Sequence, residues 1–362
     1  MTSNDTDPVR RALLQTALAA AALPWALARA AAADTAGAQQ RTLDVNGLRM
    51  HVAEQGSGPL VILCHGFPET SYSWRHQLPA LAAAGFRAVA PDQRGFGETT
   101  CPPDVEAYTQ LQLAADIVGL VHALGEREAV IVGHDWGSAV AARCALLRPD
   151  IFRAVGLLSV PYLQRAWSAP QPTVALRAVA GDKQFYQLYF QPPGKAETEM
   201  QADVRRTLLG MFYSASGDVP PAQRWRYLFA AGERFVDTLT VPTTLPPWLS
   251  ADDLDIYTRA FERSGFRGGL NWYRNLDRDW ADTAFLADAP LRQPALFVAG
   301  EVDPVLSMMK RAVDTMPRSV PNLRTSAILA GAGHWIQQER ASEVNRLLID
   351  FLHALPAPRA AA

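Results

Sequence analysis

The amino-acid sequence predicts an α/β fold with a mostly parallel sheet, helices on both faces and an inserted, mainly helical segment. Three observations predict it. Short apolar runs at residues 60–64, 129–132, 154–160 and 294–300 alternate with helix-like stretches, and strands alternating with helices imply parallel neighbours covered on both faces. One of these runs feeds directly into Gly133-His134-Asp135-Trp136-Gly137, where paired glycines permit a crowded strand-to-helix turn. The rhythm then breaks at Pro161 and resumes near Pro294, leaving a stretch rich in Pro, Trp, Tyr and Arg between.

The elements follow in order. Residues 40–54 predict two short strands joined at Asn46-Gly47, a strong hairpin signal because both central positions favour positive φ. Residues 60–64 are a buried strand, 74–84 a helix, and 86–90 a strand entering the loop Pro91-Asp92-Gln93-Arg94-Gly95-Phe96-Gly97. Residues 108–124 predict a long helix, with Leu111, Leu113, Ile117, Leu120, Val121 and Leu124 mostly on one face. The strand 129–132 and the helix 138–147 flank the glycine turn, and 154–160 is the next strand. The sheet-bearing core is thus expected at 41–160 and 285–356, with a helical lid at 161–284. Strands at 294–300 and 325–329 and a closing helix at 342–355 complete it. An insertion at this point lies over the strand ends, where ligands bind in open α/β sheets.

Composition bounds the partners. The 362 residues are 49% hydrophobic and 19% charged, with a formal net charge of −2 and no basic stripe, which gives no electrostatic case for a nucleic-acid partner. Cys64, Cys101 and Cys144 have no metal-type spacing. Cys64 and Cys144 are expected as small buried hydrophobes rather than as part of a disulfide framework. At the N-terminus, Arg10-Arg11 precede a modest alanine-rich apolar stretch and Ala28-Arg29-Ala30. Residues 1–33 therefore resemble a twin-arginine export signal with an A-x-A cleavage site. The stretch is interrupted by Gln15 and Pro24 and is too short and weak for a stable membrane span. Export to the periplasm or the medium is the expectation.

Chemistry enters at the glycine turn. Its Gly-x-nucleophile-x-Gly spacing displays the middle side chain, which here is Asp135. An exposed carboxylate can attack an electrophilic carbon and form an ester. Hydrolysis of that ester needs a base and a group to orient the base. His334, in Gly331-Ala332-Gly333-His334-Trp335, is the candidate base. Asp303, in Gly300-Glu301-Val302-Asp303-Pro304, is the candidate orienting acid, with Glu301 its rival. The chain order nucleophile, acid, histidine is that of α/β-hydrolases. The loop His65-Gly66-Phe67-Pro68-Glu69 follows another strand. The N–H groups of Phe67 and Trp136 are expected to form an oxyanion hole, and both residues to touch substrate. Pro68 is expected to fix the turn through a cis bond. The side chains of His65 and His134 are expected to be structural.

These three segments resemble the α/β-hydrolase-fold epoxide hydrolases of the soluble type, over residues 41–355 or so. Two further segments carry the resemblance. Phe185-Tyr186-Gln187-Leu188-Tyr189-Phe190-Gln191-Pro192-Pro193-Gly194 and Gly265-Phe266-Arg267-Gly268-Gly269-Leu270-Asn271-Trp272-Tyr273-Arg274-Asn275 are similar to the family's two lid tyrosine motifs. The resemblance implies that Tyr186 and Tyr273 hold and protonate the epoxide oxygen, an otherwise poor leaving group. Tyr189 is the alternative first donor. It implies conversion of an epoxide and water to a vicinal diol through an aspartyl ester, with no metal or organic cofactor. Pro192 and Ser138 depart from the common pattern.

Two alternatives stand beside that expectation. Haloalkane dehalogenases share an aspartate nucleophile followed by tryptophan, but many carry asparagine where Phe67 stands, and they need halide donors rather than paired phenols. A non-catalytic relative usually lacks a triad member, and all three are present here. Pocket shape is expected to depend on Trp167, Phe185, Trp225, Trp248 and Phe266.

Overall fold

The computed structural model describes residues 37–357, so the export segment at 1–33 lies outside the described residues. In chain order the first part of the core comprises strands β1 (Gln39–Val45), β2 (Leu48–Gln55) and β3 (Leu60–Cys64), helix α1 (Gln77–Ala83), β4 (Arg87–Pro91), α2 (Gln110–Ala123), β5 (Ala129–His134), α3 (Trp136–Leu147) and β6 (Phe152–Leu158). The second part comprises β9 (Ala295–Gly300), α11 (Pro304–Met308), α12 (Lys310–Ser319), β10 (Leu323–Leu329), α13 (Ile336–Glu339) and α14 (Ala341–His353). One eight-stranded sheet results, in the order β1-β2-β4-β3-β5-β6-β9-β10. β1, β2 and β4 pair antiparallel, and every other pairing is parallel.

The central strands are apolar throughout because both faces are covered, as parallel sheets require. Side chains alternate in direction along a strand, and the core divides accordingly. Val61, Leu63, Val130 and Val132 pack with Leu78 and Leu81 of α1 and with Val344, Leu348 and Phe351 of α14. Ile62, Cys64, Ile131 and Val155 pack on the other face with Leu113, Ile117, Leu120 and Val121 of α2 and with Val140, Ala141 and Cys144 of α3. Each such aliphatic side chain contributes roughly 1.5–3 kcal/mol on burial. Cys64 and Cys144 are buried and all three cysteines are free, as expected. The hairpin turn has Asn46 at φ 48° and Gly47 at φ 77°, the backbone an Asn-Gly turn favours.

The expected strands are all present, with ends shifted by a residue or two. Two helices, α11 and α12, were not expected. Both begin after β9, and proline lies at the start of α11 and inside α12. The 74–84 helix is in fact a short 3-10 turn, Ser71–Trp74, followed by α1. Between β6 and β9 the chain forms α4 (Pro172–Ala180), α5 (Tyr186–Tyr189), α6 (Lys195–Gln201), α7 (Val204–Ser214), α8 (Ala251–Ser264), α9 (Arg267–Arg274) and α10 (Leu276–Asp282). A two-stranded ribbon of β7 (Gln184–Phe185) and β8 (Leu228–Phe229) is the only sheet among the described residues of this insertion. No helix among the described residues is long and apolar enough to cross a membrane.

Candidate active site

Asp135 sits between β5 and α3 at φ 52° and ψ −121°. A non-glycine residue pays strain to hold positive φ, and such strain gathers at functional sites. The flanking glycines make the turn possible. A Cβ on Gly133 would lie 2.0 Å from the Gly137 carbonyl oxygen, and one on Gly137 would lie 2.0 Å from that of Cys64. Ser138, at the helix start, is buried and donates to the Gly133 carbonyl at 2.7 Å.

The Phe67 N–H donates to Asp135 Oδ1 at 3.0 Å. The Trp136 N–H is the first of α3, one of the donors a helix leaves without an internal partner. Both expected oxyanion donors therefore belong to the turns around Asp135. The Phe67-Pro68 peptide is cis, as expected.

His334 follows β10. Its Nδ1 faces both carboxyl oxygens of Asp303, at 3.1 and 3.0 Å, and its Nε2 lies 3.6 Å from Asp135 Oδ2. Asp303 also accepts from the Val305 N–H at 2.8 Å, capping α11. Glu301 instead accepts from the Gly331 N–H and is exposed. The structure thus brings Asp135, His334 and Asp303 together and leaves Glu301 outside. Burial disfavours charge on His334, but the Asp303 charge and the Asp135 hydrogen bond outweigh it and hold its pKa well above the usual histidine value. Burial likewise opposes ionisation of Asp135. His334, His134 and the Phe67 N–H overcome it and hold that carboxyl below the usual range.

The two phenols come from the insertion. Tyr186 opens α5 and Tyr273 lies on α9; their ring centroids are 5.9 Å apart. Burial, reinforced for both by nearby negative charge, raises both phenol pKa values. Each stays a proton donor at neutral pH. Gln187 Nε2 donates to the Tyr186 oxygen at 2.8 Å, and the Trp136 side chain hydrogen-bonds Tyr273. A phenol whose oxygen already accepts has its own proton left to give. Tyr189, the alternative donor, bonds Glu199 and carries Lys195 over its ring. It is absent from the lining of the cavities that reach Asp135.

A support layer escaped the sequence reading. Glu69 is fully buried and accepts four hydrogen bonds: from His134 Nδ1 and the Gly66 N–H, at 2.7 and 3.1 Å, and from Gln337 and Gln338, at 2.8 and 2.9 Å. His134 Nε2 reaches the His334 carbonyl oxygen at 2.7 Å. One carboxylate therefore ties the loops of Phe67, Asp135 and His334 together. His65 is structural as expected: its Nε2 accepts from the Gln93 N–H and its Nδ1 meets the Gly66 carbonyl oxygen.

Asp135, His334, Tyr186 and Tyr273 share a cavity whose wall includes Phe67, Phe190, Met211, Trp225, Phe235 and Leu239. A second arm also reaches Asp135 and Tyr186, past Trp136, Leu176, Val179 and Phe185. Of the five aromatics expected to shape the pocket, Trp225 and Phe185 do so. Trp167 is 73% exposed, Trp248 packs on Phe212, and Phe266 packs behind Phe67. Among the described residues no group of three or more His, Cys, Asp or Glu side chains is placed to hold a metal ion. An ionised carboxylate sharing an apolar cavity with two phenols can attack a carbon whose departing oxygen the phenols hold. The imidazole beside it can activate a water.

Comparison with known proteins agrees with this geometry. Residues 59–341 match the family model described as alpha/beta hydrolase fold. The chain is 46% identical to epoxide hydrolase A of Mycobacterium tuberculosis, over 87% of this chain and 98% of that protein. It superposes on an epoxide hydrolase from an endophytic Streptomyces with TM-score 0.85 and 50% identity, covering 88% of this chain and 96% of that one. Epoxide hydrolase A from Mycobacterium thermoresistibile gives TM-score 0.84 and 46% identity, covering 89% and 100%. An aspartate at the strand-to-helix turn, a His–Asp pair behind it and two phenols from the insertion thus accompany overall likeness to named epoxide hydrolases, and the chain belongs to the alpha/beta hydrolase fold family as an epoxide hydrolase.

Proposed function

We propose that hydrolysis runs through a covalent aspartyl ester on Asp135, beneath a lid formed by residues 161–284. The observation that carries this is the division of labour between the two Asp135 oxygens. Oδ1 accepts from the Phe67 N–H at 3.0 Å, while Oδ2 lies 3.6 Å from His334 in the cavity the phenols share. Oδ2 attacks a ring carbon, and the carbon–oxygen bond breaks. The departing oxygen takes a proton from Tyr186 or Tyr273, and His334 restores that proton through solvent.

Alkylation cancels the Asp135 charge. His334 then faces one carboxylate instead of two, so its proton is held less tightly and the neutral imidazole becomes accessible. It takes a proton from water as the water adds to the ester carbonyl carbon. The Phe67 and Trp136 N–H groups hold the oxyanion on Oδ1. Collapse breaks the bond between Cγ and Oδ2, the new carboxyl gives its proton to the leaving alkoxide, and a vicinal diol departs. The diol keeps the old aspartate oxygen and Asp135 keeps the oxygen of water.

That exchange is the test. A single turnover in heavy-oxygen water should label Asp135 and leave the first diol unlabelled, read by peptide and product mass spectrometry. Label in the first diol, with none in Asp135, would mean direct attack of water on the epoxide.

We propose in addition that residues 1–33 export the folded chain, on the strength of Arg10-Arg11 and Ala28-Arg29-Ala30. Changing Arg10→Lys and Arg11→Lys together should leave unprocessed chain in the cytoplasm on fractionation. Unimpaired export of that variant sinks the assignment.

A further inference from the structure

Core and insertion meet at another cavity, which the proposed reaction does not use. Trp136, Ala139, Val160, Leu163, Pro172 and Leu276 line both it and the larger arm that reaches Asp135. Its remaining wall carries two guanidiniums, Arg143 and Arg165, among Gln110, Asp279, Trp280 and mostly uncharged residues. Arg143 lies seven residues beyond Trp136 on α3, about 10 Å further along the helix axis.

Several of these groups have no partner among the described residues. Nε of Arg143, Nε and Nη1 of Arg165, Nε1 of Trp280 and both side-chain polar atoms of Gln110 are buried without a hydrogen bond. Buried orphan donors are costly, and a cluster of them needs an explanation. The Arg165 guanidinium lies over the Trp280 ring at 4.2 Å, which fixes its plane.

Charge in the cavity favours an anion. Its one acid is Asp279, whose Oδ1 accepts from the Gln110 N–H at 2.7 Å. Burial pushes that carboxyl up to about 7, against the pull of Gln110, Arg143 and Arg278 and with a contribution from Asp282. At neutral pH it is only partly ionised. Tyr162, also in the wall, is kept neutral by burial. Two guanidiniums therefore face at most one carboxylate.

We propose that Arg143, Arg165 and the Trp280 indole N–H form a subsite for a carboxylate carried on a flexible apolar chain. Guanidinium forks match carboxylate geometry, and the shared arm between Leu163, Leu176 and Val179 would take the chain. The carboxylate comes either from the far end of the epoxide substrate or from a separate carboxylic acid lying in the arm. Only the first source rests on the proposed reaction.

The test uses the full chain and three probes: decanoate bearing a terminal epoxide, the methyl ester of that compound, and decanoate itself. If the substrate supplies the carboxylate, kcat/KM for the epoxy acid exceeds that for the ester by about tenfold or more, the worth of a charged hydrogen bond. That ratio falls toward one in Arg143→Met and in Arg165→Met, and Arg165→Lys keeps part of it. A ratio cancels general damage to the enzyme. If a separate acid is the ligand, the ratio is near one in the parent. Decanoate then binds by calorimetry, and either Met variant weakens it about tenfold or more. A parent ratio near one together with no decanoate binding overturns the subsite, as does an effect that both Met variants leave intact. Failure to form diol from any epoxide would count against the reaction and not against the subsite, because decanoate binding is read without turnover.

Discussion

At the residue scale, the site separates charge that must be present from charge that must be absent. Asp135 is held ionised by His334, while Tyr186 and Tyr273 are held neutral by burial. A buried phenol beside a carboxylate resists ionisation and so keeps its proton until an oxygen more basic than its own arrives. Tyr186→Phe should lower kcat by about tenfold or more, and the double change with Tyr273→Phe by about 10²–10⁴, the usual worth of a positioned general acid. Steady-state diol formation reads both, and an undiminished double variant removes the phenols from the chemistry. These residues differ in how legible they were. Asp135 and His334 were visible because glycine spacing and chain order are local properties. Asp303 was the candidate acid with Glu301 as its rival, since both follow the same strand by a few residues. The fold separates them: Asp303 is placed by capping α11, and Glu301 turns to the Gly331 N–H.

At the scale of elements, three loops from three strands must meet within hydrogen-bonding distance, and Glu69 is what joins them. Its two oxygens accept from His134 and Gly66 on one side and from Gln337 and Gln338 on the other. Every partner is a donor. Glu69→Gln would turn an amide N–H toward one donor pair or the other and remove the charge that faces His134. Leaving buried hydrogen-bonding groups without their partner costs about 1–3 kcal/mol. Urea unfolding should show a loss of that order, and a cost below about 1 kcal/mol would mean the loops hold one another without it. Nothing local marked Glu69 for this task, because all its partners but Gly66 lie 65 to 269 positions away in sequence. The missed helices α11 and α12 had a weaker excuse. Pro304 sits at the first turn of α11, where proline is favoured and its missing N–H costs nothing. The strands were legible because apolar runs between turn residues need only short-range pattern. The aromatics of the insertion were not, because which of them faces a cavity depends on how seven helices pack.

At the scale of the whole molecule, the insertion and both halves of the core each contribute a charged or polar group to one cavity, so the proposed chemistry and stability draw on the same interactions. Asp135 comes from the β5 turn, Asp303 from the end of β9 and His334 from the loop after β10. While His334 carries its proton, its single charge is shared between two buried carboxylates, at 3.0 and 3.6 Å. Its folded-state pKa is raised above the ordinary histidine value that the unfolded chain presents. A group raised in this way contributes stability that is complete below the unfolded pKa and is lost as pH rises through the folded one. The melting temperature should therefore decline on the alkaline side, beginning above the ordinary histidine range. Asp135→Asn removes one of the two carboxylates that hold the proton. In that variant the His334 ring should titrate at lower pH, followed by histidine NMR, and the alkaline decline should end at lower pH and be smaller in total. A ring titration that does not move in Asp135→Asn would show that Asp303 alone holds the proton. Alkylation of Asp135 would then not ease the loss of that proton, so the ring titration also tests the step that links ester formation to its hydrolysis.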